Sequence, residues 1–182
     1  MTTGQSAGQS SGAGDSPAPD TGPEVGPQTG PVIAIGDPLS DGVAKLLARH
    51  VALMREVSPP ESVHVLTPAD LAGPDIAFYT MRDGGHVIGM GALKRLPDRH
   101  GEIKSMHVAD EVRGRGLARR MLEHLVAEAR SLGLTRLSLE TGAEPEFAPA
   151  RALYARAGFR ICPPFGSYRE DPNSVFMTRD LS

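Results

Sequence analysis

Arg113-Gly114-Arg115-Gly116-Leu117-Ala118 sits between a short strand-like run and the strongest helical pattern in the chain. Downstream of it Leu117, Ala118, Met121, Leu122, Leu125, Val126 and Ala129 recur on one helical stripe. Arg119, Arg120, Glu123, Ala127 and Arg130 fall on the opposite side, Glu128 lies at the stripe's edge, and Gly133 is a natural C-terminal stop. The first turn of a helix has N–H groups with no internal partner, and the macrodipole makes that end positive. Glycines there let the main chain close on a bulky anion. Arg113, Arg115, Arg119 and Arg120 concentrate positive charge at the same place, in a chain of formal net charge −3. The segment therefore predicts a pyrophosphate-binding loop. A glycine-rich turn with solvated arginines is the plainer alternative. A dinucleotide loop does not fit, although Glu140 ends a later strand where a ribose-binding acid would stand. Arg119 occupies the third glycine position, the preceding strand stops near Val108, and the upstream chain reads as a hairpin rather than a βαβ unit.

Upstream, Ile76–Met81 and His86–Leu93 read as two strands around Arg82-Asp83-Gly84-Gly85, and Glu102–Val108 as the next. Val32–Ile35 is a short first strand. Ser40 or Asp41 can cap a helix whose inward stripe is Val43, Leu46, Leu47, His50, Val51 and Met54, ended by Pro59-Pro60, and a short helix follows at Pro68–Leu71. Downstream come a strand at Leu137–Glu140 and a helix at Pro149–Ala157 carrying Ala150, Leu153, Tyr154 and Ala157 on one face. Closing strands are expected at Phe159–Cys162 and Ser174–Thr178. The order predicts one mixed α/β sheet flanked by helices.

About half of residues 1–31 are Gly, Pro or Ser, a composition that cannot bury enough surface to fold, so a disordered tail and one domain over 32–182 are expected. No apolar run reaches the roughly 18–20 residues of a membrane span, and the N-terminus lacks a signal-peptide pattern. The single cysteine, Cys162, allows no internal disulfide and no thiolate metal cluster. The charge balance gives no nucleic-acid footprint. A cytoplasmic protein with no nucleic-acid, membrane or metal partner is expected.

Arg113-x-x-Gly116-x-Ala118 resembles the Q/R-x-x-G-x-G/A pyrophosphate motif of the GNAT superfamily of N-acetyltransferases. Ala150-Arg-Ala-Leu153-Tyr154-Ala-Arg-Ala-Gly158-Phe159 resembles that family's A-x-x-L-Y-x-x-x-G-F segment. Glu102–Met106, Ser138–Gly142 and Asp171–Met177 resemble its YsnE-like bacterial branch. The resemblance spans roughly Val32 to Leu181. It implies the acyl-CoA N-acyltransferase fold, a central mostly antiparallel sheet, and acetyl transfer from acetyl-CoA to a small amine-bearing acceptor. A protein or peptide acceptor, or a non-catalytic acyl-CoA-binding module, are the alternatives. It further implies that the strand end Met106-His107-Val108 splays from its neighbour to meet the pantetheine arm. The amides of Arg113, Gly114, Arg115, Gly116, Leu117, Ala118 and Arg119 would hold the pyrophosphate. Tyr154 would lie near the CoA sulfur and protonate the leaving thiolate. Many members place Asn seven residues before that tyrosine; here Phe147 stands there. Many relatives pair as dimers, so a homodimer is compatible.

Thioester aminolysis needs a neutral nucleophile, an oxyanion donor and a proton for sulfur. The main-chain N–H near Val108 is the candidate oxyanion donor. Tyr154 is the candidate acid, with core packing as its alternative. Glu102, alternating with Lys104 and Met106 on its strand, is the first candidate base and Glu140 the second; each has a solvated strand-end carboxylate as its alternative. Strand alternation turns His107 away from Glu102. His64, Tyr168 and Asn173, with Arg169, are candidate acceptor contacts, against plain surface and loop roles.

Overall fold

The computed structural model describes residues 30–181 except 63 and 65. The Gly/Pro/Ser-rich stretch 1–31 therefore lies almost wholly outside the described residues. Seven strands form one sheet: β1 (Val32–Ile35), β2 (Ile76–Asp83), β3 (His86–Leu96), β4 (His100–Val108), β5 (Arg136–Gly142), β6 (Arg160–Ile161) and β7 (Ser174–Asp180). Their spatial order is β1-β2-β3-β4-β5-β7-β6. Every neighbouring pair is antiparallel except β4 and β5. Among the described residues four α-helices cover the faces: α1 (Asp41–Val57), α2 (Pro68–Leu71), α3 (Leu117–Ser131) and α4 (Ala148–Arg156). All the expected elements are present. The strands of the hairpin run further than the hydrophobic alternation indicates, because Gly84 and Gly85 (φ +53° and +85°) make the whole reversal in two residues. That is the backbone a two-residue hairpin turn needs.

The sheet separates two apolar layers. On one face Met121, Leu122, Leu125, Val126 and Ala129 of α3 pack with Leu93, Ile103, Leu137, Leu139 and Tyr154. On the other Val43, Leu46 and Leu47 of α1 pack with Leu71, Phe78, Met90 and Ala92. Gly91 lets α3 seat closely on β3, since a Cβ there would stand 2.9 Å from Leu125 Cδ1. Removing the Leu125 side chain beyond Cβ costs about 2–5 kcal/mol by the usual cavity penalty.

One irregularity shapes the rest of the molecule. β4 and β5 pair only from His100↔Arg136 to Ile103↔Leu139, yet β4 continues to Val108 and β5 to Gly142. Beyond the fourth pair they fork. On its other side β4 carries a bulge: Ser105 has φ +50°, and the register against β3 slips between Met90 and Ala92. An extra residue bends a strand and reverses its facing. His107 therefore stands on the α1 side of the sheet, as Glu102 and Lys104 do, with its ring 5.1 Å from that of His50 in α1. Met106 instead packs against the α3 layer. The alternation expected of an unbulged strand, with His107 turned from Glu102 and Met106 beside it, is corrected by that one residue.

Candidate active site

A cavity of about 1010 Å³ begins at the start of α3, runs through the fork between β4 and β5, and opens beneath α1. At its outer end Gly114 and Gly116 both have left-handed φ (+78° and +74°), and a Cβ on either would meet nothing within 4 Å. Gly116 occupies the N-cap position of α3 with no side chain capping the helix. The result is an exposed helix start facing open space, a cradle that fits a diphosphate. Its charge is weaker than the sequence suggests. Arg113 pairs with Asp110 at 2.6 Å, Arg119 with Glu123 at 2.8 Å and Arg115 with Asp83 at 3.4 Å. These exposed pairs leave the main-chain dipoles as the stronger fixed attraction.

Further in, the walls are Met106, His107 and Val108 on one side and Glu140, Thr141 and Gly142 on the other. The Ala109 N–H donates to Ile88 O at 2.9 Å, which makes that a hydrogen-bonded antiparallel pair. The preceding pair, Gly89↔Val108, is then the non-bonded kind, so the Val108 N–H points away from β3 and into the fork. Tyr154 reaches the cavity from the α3/α4 layer. Its ring is buried in the core beside Phe159, and burial first, then the Glu140 charge, holds its hydroxyl well above the ordinary phenol value. Core packing and cavity lining are thus both true of it. Glu140 comes from the opposite face: Leu137 and Leu139 belong to the α3 layer, so Ser138 and Glu140 point to the α1 side. Ser174 Oγ donates to Glu140 Oε1 at 2.7 Å, while burial pushes its carboxyl above 4.5. Phe147 packs over Gly142, where any Cβ would collide with its ring.

The acetyltransferase (GNAT) family matches residues 43–159. The chain belongs to that family. An N-acetyltransferase named YsnE from Bacillus subtilis is 47% identical over 82% of this chain and 99% of its own length. A protein named IAA acetyltransferase from Azospirillum brasilense is 41% identical over 82% of this chain and 97% of its own. The crystal structure of a Bacillus subtilis acetyltransferase in complex with CoA, at 19% identity, superposes with a TM-score of 0.63 over 84% of this chain and 100% of that one, a likeness of fold. This GNAT protein is accordingly an acyltransferase.

The remaining nominated residues divide between two places. Glu102 is only 4% exposed and does not line the cleft; it accepts from the Tyr168 hydroxyl at 2.7 Å and lies 3.3 Å from Lys104 Nζ. Its side chain keeps the α1-side direction that strand alternation suggests, but it is held inside the wall by Tyr168 and Lys104. His64 lines the cleft and also a second cavity of about 550 Å³, where it is joined by Tyr168 and Asn173. Asn173 donates to Ser62 Oγ at 3.2 Å, and the His64 and Tyr168 rings meet edge to face at 5.2 Å. Arg115 stays outside the cleft.

Two cleft residues escaped the sequence reading. His50 was visible only as a member of the α1 stripe. In the fold it lines the cavity with Nδ1 buried and unpartnered, and burial first, then His107, pushes its proton affinity down to about 4. Lys104 was visible as the residue between Glu102 and Met106, but its partners lie on other elements. Among the described residues no group of three or more His, Cys, Asp or Glu side chains is placed to hold a metal, and no helix is long and apolar enough to cross a membrane.

Proposed function

We propose that this GNAT enzyme transfers an acetyl group from acetyl-CoA to the amine of a small acceptor by direct attack. One observation carries the proposal: an open glycine cradle leads into a fork that has Tyr154 on one side and Glu140 on the other. The amides from Arg113 to Arg119 would hold the diphosphate, and the main chain of Met106–Val108 the pantetheine arm. Bound there, acetyl-CoA supplies an activated thioester.

The chain's own groups divide the remaining work. Glu140, its proton affinity raised by burial, accepts a proton from the acceptor ammonium, directly or through water, and leaves a neutral amine. The Val108 N–H donates to the acetyl oxygen as it gains charge, a contribution of about 10²–10³ in rate for such a donor. The Tyr154 hydroxyl is kept protonated by its burial and gives its proton to the departing sulfur, while the acetylated nitrogen sheds its surplus proton to water, from which Tyr154 is reprotonated. Base and acid stand on opposite faces of the sheet, so proton removal and proton delivery do not compete for one site. His64, Tyr168 and Asn173 form the acceptor side.

The test is thiol release from acetyl-CoA against a panel of amines, amino acids and peptides. Release well above hydrolysis with a small amine is expected. Release with peptides alone would move the proposal to a protein acceptor, and none with any amine would overturn it.

A further inference from the structure

The Glu140 carboxylate faces charged and polar groups on every element around it: Glu102 and Lys104 on β4, Ser174 on β7, His64 on the segment before α2, Tyr168 on the loop before β7 and Tyr154 on α4. We propose that Lys104 is a positioning residue for the transfer: its ammonium, clamped by Tyr168 and Glu102, is the counter-charge that holds Glu140 as a carboxylate ready for the acceptor. The proposal rests on Glu140 being the base.

The strand register sets up the juxtaposition. Glu102 pairs with Ser138 across the parallel seam. Lys104 and Glu140 each lie two residues further on the same sheet face, so they confront one another across the mouth of the fork, and both line the cleft. The Lys104 ammonium cannot turn elsewhere. It donates to the Tyr168 hydroxyl at 2.6 Å and to His64 O at 3.3 Å, and lies 3.3 Å from Glu102 Oε1. Two of its three donors are engaged and the Glu102 carboxylate lies beside the third, which holds the ammonium in place as a fixed charge. The clamp is itself buttressed: the Tyr168 ring is packed by Phe165 at 5.2 Å and Phe176 at 5.3 Å.

Glu102 sits one step behind Lys104 with the opposite sign. It opposes ionisation of Glu140, as does burial, whereas Lys104 and His64 favour it. Neutralising either β4 charge should therefore move Glu140 in opposite directions, an outcome that loss of packing does not produce.

The experiment follows the Glu140 carboxyl by carbon NMR in the full chain labelled with ¹³C-glutamate, its signal assigned by disappearance in Glu140→Gln. Glu102→Gln is expected to lower the Glu140 midpoint. Adding Lys104→Met to Glu102→Gln removes both members of the Glu102–Lys104 pair together, so neither is left without the other. It is expected to raise the midpoint relative to Glu102→Gln, by about half a pH unit or more, about threefold in proton affinity. Tyr168→Phe keeps both charges but frees the clamp, and should move the midpoint up by less. A double variant that melts cooperatively but has the same midpoint as Glu102→Gln would overturn the proposal; so would a downward shift. Should the double variant not fold, an unmoved midpoint in Tyr168→Phe overturns it. The base assignment is read separately: full turnover by Glu140→Gln would remove that role while the titration still reported the Lys104–Glu140 coupling.

Discussion

The glycine loop and the chamber on the α1 side of the fork are made of opposite materials. The loop is main chain: two glycines with open space around them, a bare helix start, and three arginines neutralised by neighbours in exposed pairs. The chamber is side chain: buried Glu102 and half-buried Lys104 and Tyr168 joined across 64 and 66 residues of sequence, with Glu140 held by Ser174. A diphosphate needs only N–H groups and a dipole, which any side chains can surround. An acceptor needs particular charges at particular places, and those come from elements far apart in the chain. On the proposed reading donor grip and acceptor chemistry are separable, and substitutions in the two regions should fail in different ways.

The sharpest break is Glu140→Gln. It should lower kcat/KM by about 10²–10⁴, the range for loss of a general base, with acetyl-CoA binding intact by calorimetry. The parent's acidic limb, which should lie above pH 4.5, should vanish with it. Gly116→Glu attacks the other region. A left-handed backbone, added bulk and a negative charge should together abolish the rise in melting temperature given by saturating acetyl-CoA, otherwise about 2.7 kcal/mol at a hundredfold excess over Kd. Preserved protection would remove the loop from the donor site. Tyr154→Phe lies between the regions and should lower kcat by about tenfold or more while leaving the CoA affinity within twofold, both read in one steady-state and binding series. Equal turnover would leave the tyrosine with packing alone.

The chamber should also carry a pH response that touches stability rather than turnover. His50 is neutral in the fold, with its proton affinity lowered from 6.5 to about 4. The unfolded chain then binds a proton that the folded chain refuses. Stability is complete above pH 6.5, falls as the pH drops, and levels near pH 4, for a total of about 3 kcal/mol. His107, lowered mainly by burial, acts in the same direction. His50→Phe should flatten the change in urea midpoint between pH 7.5 and pH 5 without abolishing it. An unchanged slope would place the pH response elsewhere.

The same division decides what was legible beforehand. The glycine loop, the α3 stripe and the strand order are local patterns, and the fold follows them. The face of His107 was not legible, because one residue in a left-handed backbone at Ser105 reverses every side chain after it. Nor was the fate of Glu102, whose partner Tyr168 is set by tertiary packing rather than by spacing. The charge of the arginine cluster was overestimated for a related reason. Asp110 and Glu123 were in plain view three and four residues away, but Asp83 arrives from the hairpin.

The parallel seam between β4 and β5 is four residues long and then stops. Past it the two strands present peptide groups that the sheet leaves unmatched, and such groups demand water or a visitor. A guest lying in that slot is recognised by the spacing of its amides, much as an added strand would be. If the thioester lies there as proposed, side chains at the lips of the slot can vary, taking up new nucleophiles, without loosening that hold.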